Sequence, residues 1–462
     1  MYTLKKKKRH QISPYAFVIN SFLGVILVST LLLILPISTT DGKGLSLIDA
    51  IFTSTSAVCV TGLSVIPNVG DTLSVFGKIV LTIVIEIGGL GFVTLAIFIV
   101  VLLGVRIGIK ERFLLKEALN QENAQGMIKL VVSIVIMTFS IQTFGTIINM
   151  FVFTKYYPFW KALGISIFHA ISSFNNAGFD ILGSGLTING VETGTTNLIA
   201  FSDNVLLNLN TCLLITLGGI GFIVLMELRK KKWKKFNLHT KIVLTTTFSL
   251  LVVGTVLYRI LMIGVDNFGW LDSLFLSVST RTAGFMTFPI SKLNNEAYFL
   301  TILLMFIGAS PCSTGGGIKT VTFFVLIRSV IGIATGKPTT AYNRTINQQS
   351  VIKAFGLITF SLTFITVMLV ALLIVEPESY TVDGIKIDAF KCLFFEAFSA
   401  FGTVGLSVGI TPSLTVMGKI IICLLMFFGR LGPLTFMNIW NKRWMNNVKS
   451  DISYVTESVI IG

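Results

Sequence analysis

The sequence predicts an all-α polytopic membrane protein with four pseudo-repeated units around one central axis, each made of a membrane span, a re-entrant loop and a second span. Three observations support this fold class. The 462 residues are 53% hydrophobic and only 12% charged, with a mean hydropathy of +0.84, whereas a soluble protein of this length requires a far more polar surface. Long apolar segments alternate with short ones, and a short glycine-containing motif recurs four times.

Eight segments are long enough to cross a membrane, because a hydrocarbon core of about 30 Å requires about 20 apolar helical residues. They cover residues 15–37, 74–104, 127–153, 203–228, 239–264, 297–335, 352–375 and 413–440. Between the members of each successive pair lies a shorter apolar piece, at 46–59, 159–174, 268–280 and 387–401. These pieces are too short to cross, so we expect each to form a re-entrant half-helix.

This alternation divides the chain into six regions. A basic N-terminus (1–14) precedes the units, and a tail (441–462) follows them. The units cover 15–112, 113–235, 236–345 and 346–440, and the third contains an intramembrane loop at 308–319. The first span is too long for the apolar region of a secretory signal and lacks an A-x-A cleavage site, so we expect it to be retained.

Basic residues predict the orientation of the chain. They form short runs between spans, such as 5–9 and 229–235, and these runs fall on one predicted side. An even number of spans places both termini on that side, which the positive-inside rule assigns to the cytoplasm. The formal net charge of +15 could indicate a nucleic-acid partner, but basic runs at membrane borders favour anionic membrane lipids instead, and we expect no nucleic acid.

The recurring motif occupies residues 52–63, 168–179, 274–285 and 395–406. Non-helical backbone at membrane depth is tolerated only where protein buries it or where it lines a watery cavity. Four such loops around one axis can present rings of carbonyl oxygens that replace the hydration shell of K⁺ or Na⁺. The negative C-terminal ends of the preceding half-helices would also favour a cation there. We therefore expect one central cation pore.

The motif copies align on one glycine each. A single such match would mean little, because glycines also pack helices in membranes, but four matches at regular spacing, each after a short half-helix, favour a selectivity filter. We expect the candidate filter residues to act mostly through their backbones. They are Val60, Thr61 and Gly62; Asn176, Ala177 and Gly178; Thr282, Ala283 and Gly284; and Thr403, Val404 and Gly405.

At these loops the chain resembles the Trk/Ktr/HKT superfamily of K⁺ transport proteins. The degenerate filter of that family, in which only the glycine is shared by all four loops, is matched by VTGL, NAGF, TAGF and TVGL. The resemblance covers residues 15–440 and implies a K⁺ channel-like arrangement of the four repeats. Because the chain begins directly with the first repeat, it looks like the bacterial Ktr-type membrane subunit. Plant relatives with a serine at the first filter glycine prefer Na⁺, so Gly62 implies K⁺ selectivity.

The third repeat differs from the others in its second span. As one helix, its about 39 residues would reach almost 60 Å, and Pro311 with Gly315–Gly317 should break it. A simple kink would explain the proline. However, irregular backbone of this length favours a loop that faces water in the permeation path. The segment GGGIKT does not meet the phosphate-binding pattern GxxxxGK[ST], because an isoleucine separates Gly317 from Lys319.

An intramembrane charge, Arg430, lies in the equivalent stretch of the fourth repeat and indicates a functional role. The resemblance implies that the third-repeat loop acts as a gate and that an arginine of the fourth repeat lies beside it. We therefore expect Arg430 to contact the loop and to raise the barrier for cations. The candidate gate residues are Ser310, Pro311, Ser313, Thr314, Gly315, Gly316, Gly317, Lys319 and Arg430.

Four other charged residues have two interpretations each. Glu86 could couple to a proton or an ion, or satisfy a polar group of a neighbouring repeat, and we favour the second interpretation. Arg281 and Glu396 either brace the filter, which we favour, or touch ions. Asp180 either attracts cations at the pore mouth or caps a local turn, and the sequence does not separate these two roles.

Partners are implied by the resemblance. Ktr-type subunits are homodimers, with one pore in each protomer, on a cytoplasmic ring of RCK-type subunits that bind ATP or ADP. The tail either frays or packs in one of these interfaces. The resemblance also implies a bacterial plasma membrane. We expect no cofactor: K⁺ is the transported ion, and Na⁺ is a candidate modulator.

Two other classes of function are less consistent with the sequence. An alternating-access cation symporter coupled to Na⁺ or H⁺ usually has broken helices in paired inverted repeats, whereas these four repeats share one orientation. A membrane enzyme would require convergent nucleophiles, carboxylates or metal ligands. The spans contain no recognisable cluster of these, and the five cysteines and three histidines are scattered. We therefore expect a transport protein rather than an enzyme.

Overall fold

The computed structural model describes residues 14–103, 108, 126–188, 190–193, 197–230, 232–382 and 384–437. The predicted basic N-terminus up to residue 13 and the predicted tail at 441–462 lie outside the described residues. In the described part, four helices are long and apolar enough to cross a membrane, and two bent helix pairs raise that number to six.

The first span of every repeat is a single long helix. These helices are α1 (Pro14–Ile34), α6 (Met127–Phe153), α10 (Leu238–Leu261) and α14 (Gln348–Val375). Large apolar side chains on their outer faces are exposed, as at Leu27 and Leu31 of α1, which are 64% and 67% exposed. Such faces are stable against lipid, and the chain is an integral membrane protein.

Each predicted re-entrant piece forms a short helix, which confirms the half-helices. They are α2 (Leu47–Val58), α7 (Phe159–Phe174), α11 (Trp270–Ser279) and α15 (Ala389–Gly402). Polar side chains cap three of the N-termini: the Ser46 hydroxyl accepts a hydrogen bond from Asp49 N, Asp388 accepts one from Phe390 N, and Asp272 accepts one from Gly269 N. All four half-helices end just before a filter segment.

The second spans break where the prediction had continuous helices. In repeat one, α4 (Val75–Leu90) and α5 (Phe92–Leu102) meet at 99°, and in repeat two, α8 (Val205–Ile220) and α9 (Phe222–Lys230) meet at about 101°. These bends in the segments 74–104 and 203–228 were not predicted from the sequence. The break falls at Gly91 and Gly221, whose φ values of +83° and +102° suit glycine alone.

The other two repeats break at the same level. In repeat three, α12 (Asn295–Phe306) and α13 (Thr320–Thr335) flank the predicted intramembrane loop. In repeat four, α16 (Val416–Leu431) ends at Gly432, and residues 433–437 are helical again. The four-residue helix α3 (Val69–Thr72) and three antiparallel hairpins lie in the connections. The hairpins pair β1 (Thr187–Ile188) with β2 (Val191–Glu192), β3 (Thr340–Ala341) with β4 (Arg344–Thr345), and β5 (Ser379–Val382) with β6 (Ile385–Asp388).

The backbones of the half-helices and of the second spans are in direct contact. A short second-span motif occupies residues 87–92, 217–222 and 428–433. In these three repeats its first glycine abuts a carbonyl oxygen near the end of the half-helix, where a Cβ atom would collide. The pairs are Gly88 with Val58, Gly218 with Phe174 and Gly429 with Phe401. This close approach keeps the half-helices buried near the axis. An ion pair between Lys419 of α16 and Asp49 of α2, at 2.8 Å, joins repeat four to repeat one.

Candidate ion pore

The four filter segments share one backbone conformation. The residue two before each glycine is left-handed, with φ of +55° at Val60, +61° at Asn176, +78° at Thr282 and +50° at Thr403. The glycines are also left-handed, and the residue between has a negative φ. Alternating signs of φ turn successive carbonyl groups to one side of the chain, as carbonyl coordination of an ion requires. Four non-glycine residues in this costly region indicate a functional constraint.

The segments form a closed ring. Each filter glycine abuts the carbonyl oxygen of the residue that precedes the glycine of the next repeat. The four contacts are Gly62 with Ala177, Gly178 with Ala283, Gly284 with Val404, and Gly405 with Thr61. A Cβ atom on Gly62 would lie only 2.5 Å from that oxygen, so any side chain there would displace the neighbouring segment. The ring brings all four predicted triplets together around one axis.

Serines of the half-helices hold the filter segments from behind. The Ser56 hydroxyl accepts a hydrogen bond from Gly62 N at 3.1 Å, and the Ser399 hydroxyl accepts one from Gly405 N at the same distance. Ser399 and Ser172 also donate to the carbonyl just after their own filter glycine, at 2.6 Å and 2.8 Å. Ser279 makes the corresponding contact with Phe285 in repeat three. These bonds fix the backbone without using the carbonyls of the filter triplets as acceptors.

Polar side chains lie at the end of the filter nearest the half-helices. Oriented so that both ends of its amide are satisfied, Asn176 accepts a hydrogen bond from the Thr282 hydroxyl at 3.0 Å and donates to the carbonyls of Ser173 and Ile215 at 3.1 Å. The Thr403 hydroxyl accepts a bond from Gly316 N at 3.0 Å. Thr403 thus connects the filter to the intramembrane loop.

The intramembrane loop folds back on itself between α12 and α13. Gly308 N donates to Ile318 O at 2.9 Å, and the Ser310 and Thr320 hydroxyls are bonded at 3.0 Å. The broken span of repeat two holds the loop, since Ser310 N and Thr314 N donate to the carbonyls of Gly219 and Gly218. The break spans many residues, as predicted from Pro311 and Gly315–Gly317, and is not a simple kink.

Two cationic side chains bind main-chain oxygens of the loop region. Arg430 donates to Thr314 O, and it also donates to Gly88 O and Gly89 O at the break in repeat one. Lys319 Nζ donates to Gly315 O at 2.7 Å. A cavity of about 360 Å³ borders the loop, and its lining includes both cations and Ser313 but no acidic residue among those described.

The family model for the TrkH cation transport protein matches residues 3–439 of this chain. The chain belongs to the TrkH cation transport protein family. It is 40% identical over 448 residues to the Ktr system potassium uptake protein B of Bacillus subtilis, which covers 94% of each chain. It is 36% identical to the potassium/sodium uptake protein NtpJ of Enterococcus hirae over the full length of both.

A solved structure has the same fold. The potassium transporter TrkH from Vibrio parahaemolyticus superposes with a TM-score of 0.69 at 18% identity, covering 95% of this chain and 86% of that one. Among the curated relatives, the Ktr system potassium uptake protein B of Vibrio alginolyticus is 35% identical over 90% of this chain. The predicted superfamily and the predicted fold class are both confirmed.

In this TrkH-family chain, Glu86 braces a neighbouring repeat. Its Oε2 accepts hydrogen bonds from the amides of Gln142, at 2.8 Å, and Asn175, at 2.6 Å. Asn175 directly precedes the filter segment of repeat two. These contacts support the favoured interpretation of Glu86 as the partner of polar groups in repeat two.

Glu396 and Arg281 also lie behind the filter. Glu396 is fully buried and accepts hydrogen bonds from the hydroxyls of Ser407 and Thr411, so it braces the chain that leaves the fourth filter segment. Arg281 is 7% exposed, borders a small cavity and donates to Thr247 O at 3.4 Å. These contacts support the favoured interpretation of both residues as braces of the filter region.

Asp180 lies two residues after Gly178 and caps a local turn. Its Oδ1 accepts a hydrogen bond from Leu182 N at 3.2 Å. Burial raises the pKa of this carboxyl to about 6, and the Leu182 hydrogen bond opposes the shift. This hydrogen bond supports the turn-capping interpretation, and the attraction of cations by the same carboxyl stays a prediction.

The bracing role of the serines was not predicted from the sequence, and the second-span motif was noted as a repeat without its glycines being identified as bends. Ser56, Ser172 and Ser399 each lie six residues before a filter glycine, a spacing that was visible in three of the four copies. Gly91, Gly221 and Gly432 likewise share one position in the second-span motif. Both signals were present as repeats, but only a structure reveals that the serines bond the filter and that the glycines are left-handed.

Proposed function

We propose that this protein is the K⁺-translocating membrane subunit of a bacterial K⁺ uptake system. The observation that carries the proposal is the closed ring of four filter segments, in which each glycine contacts the carbonyl before the next glycine. Rings of carbonyl oxygens replace the water around a monovalent cation. Transport of an ion through such a ring needs no bond-making chemistry, so we propose a transport protein and not an enzyme.

Three further features favour a cation and, among cations, K⁺. The four half-helices direct their negative C-terminal ends toward the filter. No filter position carries a charged side chain. Gly62 occupies the first filter position, and curated relatives at 34–40% identity are named as potassium or potassium/sodium uptake proteins. One of these relatives is named a potassium/sodium uptake protein, which supports Na⁺ as the candidate modulator.

The intramembrane loop at 308–319 is the proposed gate. It lies against the filter through the hydrogen bond of Gly316 N to Thr403, and Arg430 ties it to repeat one. A loop in this place blocks the path of the ion, and the two cations beside it, Arg430 and Lys319, repel other cations. Ions pass when the loop withdraws.

Regulation is proposed to come from other chains. The name Ktr system of the relatives supports a multi-component assembly. We propose a homodimer in the bacterial plasma membrane, with both termini cytoplasmic, on a ring of RCK-type subunits that bind ATP or ADP. Co-purification of the chain with such a ring, and its mass in detergent, test this proposal; a monomer that binds no ring would contradict it.

Flux in liposomes tests the transport function. Purified protein is reconstituted with K⁺ trapped inside, and uptake of Rb⁺ is followed with and without competing Na⁺ while a dye reports internal pH. We expect Rb⁺ uptake driven by the K⁺ gradient alone, inhibited more strongly by K⁺ than by Na⁺ and without proton movement. Uptake that requires a Na⁺ or H⁺ gradient would instead support an alternating-access symporter.

A further inference from the structure

One hydroxyl group belongs to both the filter and the gate. Thr403 is a filter residue of repeat four, fully buried and left-handed. Its Oγ1 accepts a hydrogen bond from Gly316 N, a main-chain donor in the middle of the gate loop, at 3.0 Å. The two residues are far apart in sequence, so this bond exists only while the loop is seated against the filter.

The seated loop touches three of the four repeats at the same level. The Thr314 hydroxyl donates to Phe174 O, at the end of half-helix α7, at 3.1 Å. Gly315 packs against Thr282 Oγ1, and Gly316 packs against Thr403 Oγ1, so closely that a Cβ atom at either position would collide. The consecutive glycines therefore let the loop backbone approach the filter threonines directly.

The two filter threonines differ in what they bind. Thr282 is bonded to Asn176 within the filter itself, at 3.0 Å. Thr403 instead accepts a hydrogen bond from Gly316 N of the gate loop. A hydroxyl oxygen has two acceptor sites, so a main-chain N–H that occupies one of them leaves only the other for a cation. Movement of the loop thus changes the environment of Thr403 more than that of Thr282.

We propose that Thr403 couples the gate to the filter: the seated loop occupies the Thr403 hydroxyl through Gly316 N, and withdrawal of the loop frees this hydroxyl to bind the permeating K⁺ at the inner end of the filter. Opening the gate and completing the innermost cation site are then one event. This inference rests on the proposed function, because it needs K⁺ to pass the filter.

Thr403→Val removes the hydroxyl and keeps the shape of the side chain. Valine is also β-branched, so the left-handed backbone is no more strained than before. The Gly316 N–H loses its acceptor in the closed state, which should shift the gate toward open and raise maximal Rb⁺ uptake about 5- to 10-fold. The open filter lacks one oxygen ligand, so the half-saturating Rb⁺ concentration should rise as well.

Two comparisons separate coupling from a general packing effect. Thr403→Ser keeps the hydroxyl and should restore both parameters to near the wild-type values. Thr138→Val removes a hydroxyl of a fully buried threonine on α6, which has no hydrogen-bond partner among the residues that the structure describes, and should leave both parameters unchanged. Unchanged uptake and half-saturation in Thr403→Val, or the same defect in Thr403→Ser, would overturn the inference.

A second variant tests the same contact from the gate. In Gly316→Ala the added methyl group collides with Thr403 and would approach Gly429 O to 3.1 Å, so the loop cannot seat and maximal uptake should rise as in Thr403→Val. The double variant of Thr403→Val and Gly316→Ala should raise maximal Rb⁺ uptake little beyond either single variant, because both substitutions break the same contact. Additive effects would count against coupling. Absence of Rb⁺ uptake in the wild type would instead refute the proposed function.

Discussion

The guanidinium of Arg430 donates a hydrogen bond to the main-chain oxygen of Thr314, which lies in the gate loop of another repeat. The same side chain donates to Gly88 O and Gly89 O, where the second span of repeat one breaks. Arg430 therefore clamps the loop between repeats four and one. A charged group this deep in a membrane protein is costly unless polar groups surround it, and here three carbonyl oxygens do so.

Removing the clamp should open the pore. In Arg430→Ala the loop loses a charge-assisted hydrogen bond of about 1.5–3 kcal/mol, and we expect Rb⁺ uptake into liposomes to rise at least about tenfold. Arg430→Lys keeps the charge, but one ammonium cannot span the same carbonyls, so its uptake should be intermediate. Shortening the loop at Gly315–Gly317 should also increase uptake. Unchanged uptake in both Arg430→Ala and the shortened loop would contradict the gate.

A side chain at the first filter glycine should weaken K⁺ selectivity. Gly62 has φ of +95°, and a Cβ atom there would lie 2.5 Å from Ala177 O, so Gly62→Ser must displace the neighbouring segment of the ring. We expect Na⁺ to compete better with Rb⁺ uptake in this variant. Gly24→Ser is the matched control, because nothing lies within 4 Å of a Cβ atom on that α1 glycine. Selectivity untouched by Gly62→Ser would exclude this segment as a filter.

The repeat made the fold and the filter predictable. Four copies of one motif placed Gly62 and its three equivalents around an axis, and each short apolar piece before them could only be re-entrant. Hydropathy cannot detect a right-angle bend, because both sides of Gly91 and of Gly221 are equally apolar. The broken second spans of repeats one and two were missed for that reason, whereas the polar loop after Gly308 was found.

Contacts between residues that are distant in the sequence were also not predictable. The sequence identified Glu86 and Arg430 as unusual intramembrane charges, but their partners are amides and main-chain oxygens that carry no signal in composition. The contact of Gly316 with Thr403 depends on the fold of an irregular loop, and periodicity offers no register for such a segment. The sequence therefore identified functional residues but not the contacts between them.

Loss of the Glu86 carboxylate should destabilise the protein. Glu86→Ala leaves the buried amides of Gln142 and Asn175 without their shared acceptor, at a cost of about 1–3 kcal/mol for each unsatisfied group. We expect a lower melting temperature in detergent, together with weaker K⁺ selectivity, since Asn175 precedes the second filter segment. Glu378→Ala, at an exposed glutamate, should leave both unchanged.

The neutral isostere distinguishes bracing from ion coupling at the same position. Glu86→Gln keeps an oxygen that accepts hydrogen bonds, so stability should fall by less than in Glu86→Ala and Rb⁺ uptake should persist. If Glu86 carried a proton or an ion during transport, Glu86→Gln would abolish uptake while remaining folded. That result would refute the bracing role.

External acid should weaken ion capture through Asp180. Thr282 and Thr403, each two residues before a filter glycine, contact the gate loop, so Asp180, which follows Gly178, lies toward the opposite mouth. Burial raises the pKa of its carboxyl to about 6, so the group is mostly charged at pH 7 and neutral at pH 5. Because folding raises the pKa of Asp180, its charged form lowers the stability of the folded protein, and protonation as the pH falls through 6 removes this destabilisation. The same protonation removes a negative charge from the pore mouth. We expect the half-saturating Rb⁺ concentration to rise about fivefold between pH 7 and pH 5, as for the loss of an attraction of about 1 kcal/mol.

Asp180→Asn provides the test of this pH dependence. The asparagine carbonyl can still accept the hydrogen bond from Leu182 N, so the turn persists while the charge is lost at every pH. Tyr157 lies near both Asp180 and Asp71, and burial raises the pKa of its phenol, which therefore stays neutral throughout the range. The variant should therefore have the weak Rb⁺ capture of the acidified wild type at pH 7, with little further change at pH 5. A pH dependence that survives Asp180→Asn would assign the titration to another group.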